Sequence, residues 1–216
     1  MKKVFFTVFC FAILACSGKN KDQNESVEAN KSTTTVAVDS SKDNVNDNAN
    51  AESQVYSKNL SWNNYQFEVV VKSNSLYIKP KGKSGNGEAA QHNITGYTVV
   101  NSEVGDLNVD GMPEVLVYLV SDGSGSYGSL IGYSLLKSGD LLQLELPDLS
   151  LDKKNSKGYM GHDKFEIVEN TLVRNFPVYK DGDSNANPTG GTRQLQYKLP
   201  KNNGKSLFYL DRVSEY

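Results

Sequence analysis

Cysteine is almost missing from this chain of 216 residues: there are two, Cys10 and Cys16, and both lie at the N-terminal end. Everything after them folds without a disulfide, without a thiol nucleophile and without a cysteine-based metal site. Histidine is equally scarce, with His92 and His162 each beside polar neighbours, the pattern of solvated surface residues. No G-x-S-x-G elbow surrounds any serine. Ser134-Leu-Leu-Lys137 spells S-x-x-K, but inside an apolar strand pattern and without its companion motifs, so it reads as coincidence. Tyr159, Tyr179 and Tyr197 read as core or rim packing. These absences remove the usual equipment of a catalyst, and the chain is not expected to be an enzyme.

Charge of one sign is also lacking. The chain carries 23 Lys and Arg against 25 Asp and Glu, for a formal net charge of -2. That balance offers no basic surface for nucleic acid and no charged grip on an acidic membrane. A partner has to be selected by shape and local chemistry. A homodimer through a free sheet edge stays open from one sequence alone.

The N-terminus does have a pattern. Lys2 and Lys3 precede the apolar run Val4 to Ile13, and Ile13-Leu14-Ala15-Cys16 places a small residue just before a cysteine. The run is too short for a mature transmembrane helix and reads as a signal segment over 1–15. The cysteine at the cleavage point resembles a bacterial lipobox, which implies cleavage after Ala15, lipidation of Cys16 and anchoring to a membrane facing the periplasm or cell surface. An ordinary signal peptide with an incidental cysteine is the plainer alternative. From Ser17 to Glu52 the chain has no aromatic residue and no leucine. Such a stretch cannot bury enough apolar surface to offset its ordering entropy, so 16–52 is expected to be a lipidated, disordered linker spanning roughly 30–36 Å.

Residues 53–216 carry the periodicity of strands. Gln66–Lys72 and Ser75–Pro80 flank Ser73-Asn74, a hairpin-like pair. Ile94–Val100, Glu114–Val120, Tyr127–Leu136 and Leu141–Leu146 follow, then Lys164–Val168, Thr171–Phe176, Arg193–Lys198 and Ser206–Asp211. Each is short and bounded by Gly, Asn, Asp, Ser or Pro, and no apolar pattern of helical period persists over three turns. The expectation is one all-β domain, an antiparallel sandwich or barrel-like fold.

Two connections around the strand from Glu114 carry most of the functional information. Asp106, Asn108, Asp110, Gly111 and Glu114 form D-x-N-x-D-G-x-x-E, with oxygen-bearing side chains at alternate positions and a glycine for a sharp turn. A hard cation such as Ca²⁺ takes ligands of this kind, and the spacing resembles the short calcium loops of FG-GAP-type repeats. The same residues also build an Asx-rich turn with Gly111 left-handed. Beyond the strand, Ser121 to Ser126 form a small-residue loop that ends at Tyr127. Gly123 and Gly125 permit close approach of another surface, and Tyr127 has the profile of an interface anchor.

Ser124-Gly125-Ser126-Tyr127, following the acidic turn and the apolar strand, resembles the S-G-x-Y loop of the periplasmic inhibitors of invertebrate-type lysozyme. That resemblance implies an antiparallel β-fold with no cofactor, a lysozyme as partner, and insertion of the loop into the enzyme's substrate cleft. Ser124 and Tyr127 would supply hydrogen bonds, and Gly125 would let the loop enter. The alternative is a calcium-stabilised surface binding module, with Asp106, Asn108, Asp110 and Glu114 as ligands and another glycan or protein as partner.

Overall fold

Alternating polar and apolar residues drive this chain into strands. The computed structural model describes residues 54–82, 87–201 and 206–216. The signal segment, Cys16 and the linker through residue 52 lie outside the described residues. The strands are β1 (Gln54–Trp62), β2 (Tyr65–Lys72), β3 (Ser75–Lys81), β4 (Ala90–Asn93), β5 (Tyr97–Gly105) and β6 (Glu114–Ser121). They continue as β7 (Gly128–Leu135), β8 (Leu141–Leu144), β9 (Lys164–Val168), β10 (Thr171–Pro177), β11 (Thr192–Lys198) and β12 (Tyr209–Glu215). A 3₁₀ turn, Leu149–Leu151, follows β8.

The strands form three antiparallel sheets of four, in the orders β1-β2-β3-β4, β5-β6-β7-β8 and β12-β11-β10-β9. Each sheet is an up-and-down meander of consecutive strands. Ser73-Asn74 does close a hairpin, pairing Lys72 with Ser75, and Ser73 takes the left-handed conformation at φ 51.

Two apolar cores hold the layers together. Phe67, Val69, Val71, Leu76 and Ile78 of the first sheet meet Val115, Val117, Leu119, Tyr133 and Leu135 of the second. The other face of the second sheet supplies Leu116, Tyr118 and Leu144, which pack on Leu172, Phe176, Leu195 and Tyr197 of the third. The middle sheet is therefore covered on both sides, and every residue of β6 from Glu114 to Leu119 is buried. Its unbroken apolar run Val115–Val120 reflects this: a strand with two buried faces has no polar side to alternate with. Each fully buried Leu or Val here contributes about 1.5–3 kcal/mol. Gly132 leaves room for its cross-strand partner, since an added Cβ would stand 2.8 Å from Leu116 Cδ2.

Four strands depart from the expected pattern, each for a local reason. β1 has no counterpart in the expected set because polar residues interrupt its alternation. Lys58 spends its ammonium on Asn101 Oδ1 at 2.9 Å and on the Ser102 carbonyl at 2.8 Å, and Tyr56 shares a hydrogen bond with Ser102 at 2.8 Å. β4, Ala-Gln-His-Asn, has no periodicity to read, yet His92 there reaches the Tyr133 hydroxyl at 2.6 Å. β5 starts three residues late because the Asn93 side chain accepts from Thr95 and Gly96 turns left-handed at φ 83. β12 starts late because Ser206 and Phe208 first bond Glu145, at 2.7 and 2.9 Å.

Candidate functional site

The turn from Asp106 to Pro113 leads into β6, and the loop from Asp122 to Tyr127 leads out of it. In the turn, nearly every side-chain oxygen faces the chain itself. Asp106 accepts from the N–H groups of Asp110 and Gly111 at 3.1 and 3.0 Å. Asn108 Oδ1 accepts from Asp110 N–H at 2.9 Å, and Asp110 Oδ1 accepts from Met112 N–H at 2.8 Å. Val109 and Gly111 take left-handed φ values of 56 and 87.

Glu114 is wholly buried and accepts from Leu107 N–H at 2.7 Å, Ser134 Oγ at 2.8 Å and Asn108 Nδ2 at 3.2 Å. Burial pushes its carboxyl up to about 7, against the opposing pull of the Ser134 and Leu107 hydrogen bonds. The four expected ligands are thus brought together in one turn, but they satisfy N–H donors. Among the described residues no group of three or more His, Cys, Asp and Glu side chains is arranged to hold a metal ion.

The loop has the opposite polarity. Its backbone is fixed from behind, and two of its hydroxyls are left over. Ser121 N–H donates to the Tyr127 carbonyl at 2.9 Å, and Ser121 Oγ accepts from Tyr127 N–H at 3.0 Å. His162 N–H reaches both the Gly125 and Ser126 carbonyls, at 3.0 and 3.1 Å, and Asn185 Nδ2 donates to the Ser124 carbonyl at 2.8 Å. Ser126 is held left-handed at φ 44. Ser124 is exposed and Tyr127 is 47% exposed; neither hydroxyl has a hydrogen-bond partner among the described residues.

Gly125 has an internal purpose that the sequence does not show. A Cβ there would stand 2.4 Å from Tyr127 Cε2, and a Cβ on Gly161 would strike the Gly125 carbonyl. The glycine lets the tyrosine ring fold back over the loop and lets the 158–163 segment close beneath it. Close approach at Gly125 is therefore already made by the chain's own Tyr127 and Gly161.

Under the loop lies a buried ion pair. Arg174 Nε meets Asp163 Oδ1 at 2.6 Å, with side-chain exposures of 6% and 0%. Asp163 Oδ2 also accepts from Gly128 N–H and from the Tyr159 hydroxyl, both at 2.6 Å. The Arg174 guanidinium donates to that same hydroxyl at 2.8 Å and stacks over the rings of Tyr159 and Phe165. Tyr127 meets the Tyr159 ring edge-on, with centroids 5.6 Å apart. Desolvation holds the Tyr159 phenol protonated, with its ionisation pushed upward. The residue that shows in the loop is thus connected, through the Tyr159 ring, to a buried charged pair.

None of Asp163, Arg174 or Asn185 stood out in the sequence. The cluster Tyr159-Met-Gly-His-Asp163 holds the nearest signal, in the glycine that lets the segment close beneath the loop. His162 contributes its backbone N–H, with its ring 3.3 Å from Asn185 Oδ1 and half-buried. His92 is not a freely solvated surface residue either: it is partly buried against Tyr133, and that burial lowers its proton affinity. Comparison with protein-family models, with curated proteins and with solved structures finds no match for this chain.

Proposed function

We propose that this chain is a proteinaceous inhibitor of a lysozyme, with invertebrate-type enzymes as its target and the 124–127 loop as its plug. One observation carries the reading: the Ser124 and Tyr127 hydroxyls are free and outward on a loop whose backbone is fixed by His162 and Asn185. A loop held in advance loses little conformational entropy on binding, so its contacts convert into affinity. A retaining glycosidase keeps two carboxyls about 5–5.5 Å apart around its scissile bond. Two hydroxyls three residues apart can hydrogen-bond such a floor, while the Tyr127 ring fills the space of a sugar and offers no bond to cleave. The S-G-x-Y resemblance supports the same target. Cys16 would anchor the chain to the bacterial envelope, where such an inhibitor would protect peptidoglycan.

The test is a cell-wall lysis assay in which the full-length chain is titrated against lysozymes of the invertebrate, chicken and goose types. Inhibition selective for the invertebrate type is the expected result. Lysis that proceeds unchanged with every type overturns the proposal.

The second reading, a calcium-stabilised binding module, rests on the gathering of Asp106, Asn108, Asp110 and Glu114 into one turn. It requires a higher melting temperature in calcium than in chelator. The plug requires no such difference.

A further inference from the structure

The loop is small for the task the plug reading gives it. Tyr127 shows 47% of its surface, roughly 100 Å² of a tyrosine side chain. Ser124 is exposed, while Gly125 and Ser126 are half-buried. A specific protein complex covers about 800 Å² on each partner. Ser124 to Tyr127 fall well short of that, so most of the contact has to come from the surface around them.

That surface is set by the segments that brace the loop. On the β5 side, Asp122 N–H donates to the Gly96 carbonyl at 2.9 Å, and Thr98 Oγ1 donates to Asp122 Oδ1 at 3.0 Å. Between these two anchor points stands Tyr97, paired with Ser121 across the strands and 43% exposed. Tyr97 and Tyr127 border the same depression. Beneath the loop, Gly161 packs against the Gly125 carbonyl, and Tyr159 meets the Tyr127 ring edge-on. Met160 lies between those two contacts along the chain and is 40% exposed.

Each brace therefore does two things. It holds the loop, and it leaves one large apolar side chain in solvent beside it. Tyrosine and methionine are enriched where protein partners meet, because both cover wide area while asking for few polar contacts. Their frame is already fixed, so little ordering remains to oppose binding.

We infer that Tyr97 and Met160 extend the lysozyme-binding surface beyond the plug, an extension that rests on the plug reading. Ser124 and Tyr127 reach the polar floor of the substrate cleft, and Tyr97 and Met160 pack on its walls. The partner this surface fits carries apolar side chains beside its catalytic carboxyls. Charged walls would be desolvated against Tyr97 and Met160 without compensation.

The test measures inhibition constants of the full-length chain against an invertebrate-type lysozyme. Tyr97→Ala and Met160→Ala are each expected to weaken inhibition about tenfold, and the two together roughly 100-fold, since they stand on separate segments. Tyr97→Phe, which keeps the ring, inhibits as the parent does. Val109→Ala trims a similarly exposed apolar residue at the opposite end of β6 and leaves inhibition unchanged. All four variants melt close to the parent, because each altered side chain is largely in solvent. A parent that does not inhibit, or a Ser124→Ala, Tyr127→Ala variant that inhibits fully, overturns the plug and the extension with it. The extension alone is overturned if the parent inhibits, the loop variant does not, and Tyr97→Ala with Met160→Ala keeps the parent's inhibition constant. Equal weakening by Val109→Ala overturns it as well.

Discussion

The acidic turn and the serine-rich loop sit at opposite ends of β6, are of similar length, and both carry polar residues that bring a binding site to mind. They differ in where the polar atoms point. In the turn, Asp106, Asn108, Asp110 and Glu114 spend their oxygens on Leu107, Asp110, Gly111 and Met112 N–H groups, and the product is a rigid connection into a buried strand. In the loop the backbone is satisfied by His162 and Asn185, and the Ser124 and Tyr127 hydroxyls are left over. Polar residues that complete their own fold have little left for a ligand. Those whose backbone is held by neighbours can be used outward.

The sharpest way to break this comparison is to remove the support under the loop. Asp163→Ala strands the buried Arg174 charge and leaves Gly128 N–H and the Tyr159 hydroxyl without their acceptor, for an expected cost of about 3–5 kcal/mol. Urea denaturation reads it, and a loss under about 1 kcal/mol would show that the pair does not organise this end of the molecule.

Tyr127→Ala comes next. It removes an interface anchor and is expected to weaken lysozyme binding by roughly 2–4 kcal/mol, about 30- to 1,000-fold. The accompanying loss of the edge-on Tyr159 contact costs the fold only about 0.5–1.5 kcal/mol. Parallel inhibition and melting curves separate the two effects.

The turn makes a pH-dependent prediction. The Glu114 carboxyl titrates near 7 in the folded chain, above its ordinary value of 4.5, so the native state binds the proton more tightly than the unfolded state. The stability this provides is full below about 4.5 and is lost as pH rises through about 7. Glu114→Gln flattens that dependence, as denaturation midpoints taken across the interval would show. A midpoint that rises over the same interval in the parent contradicts the assignment.

Smallest of all is Ser124→Ala. Its side chain is exposed and has no hydrogen-bond partner among the described residues, so stability is expected to move by less than about 0.5 kcal/mol while inhibition weakens. A melting temperature unchanged beside a displaced inhibition curve is the outcome that separates a ligand-facing hydroxyl from a structural one.

Most strands were legible because alternation and hairpin residues are local. Val69, Leu76 and Leu195 sit where the period of two places them, and Ser73-Asn74 turns where its residues allow. The all-β antiparallel class was legible too, but the division of the strands into three sheets was not. The doubly buried β6 reads as an apolar run, and a run does not reveal how many sheets cover it. The loop was visible through its glycines and tyrosine, but its support was not. Asp163 and Arg174 meet Gly128 and Tyr159 only after β9 and β10 pair, a relation set by tertiary structure. The internal role of Gly125 was hidden for a related reason: its missing Cβ makes room for Tyr127, a demand that arises when the ring folds back.

The most direct measurement compares two double variants of the full-length chain against an invertebrate-type lysozyme. One is Ser124→Ala with Tyr127→Ala, and the other is Asp106→Ala with Asp110→Ala. The parent is expected to inhibit, the loop variant to lose inhibition while still folded, and the turn variant to melt earlier but inhibit fully wherever it is folded. Full inhibition by the loop variant, or none by the parent, would contradict it.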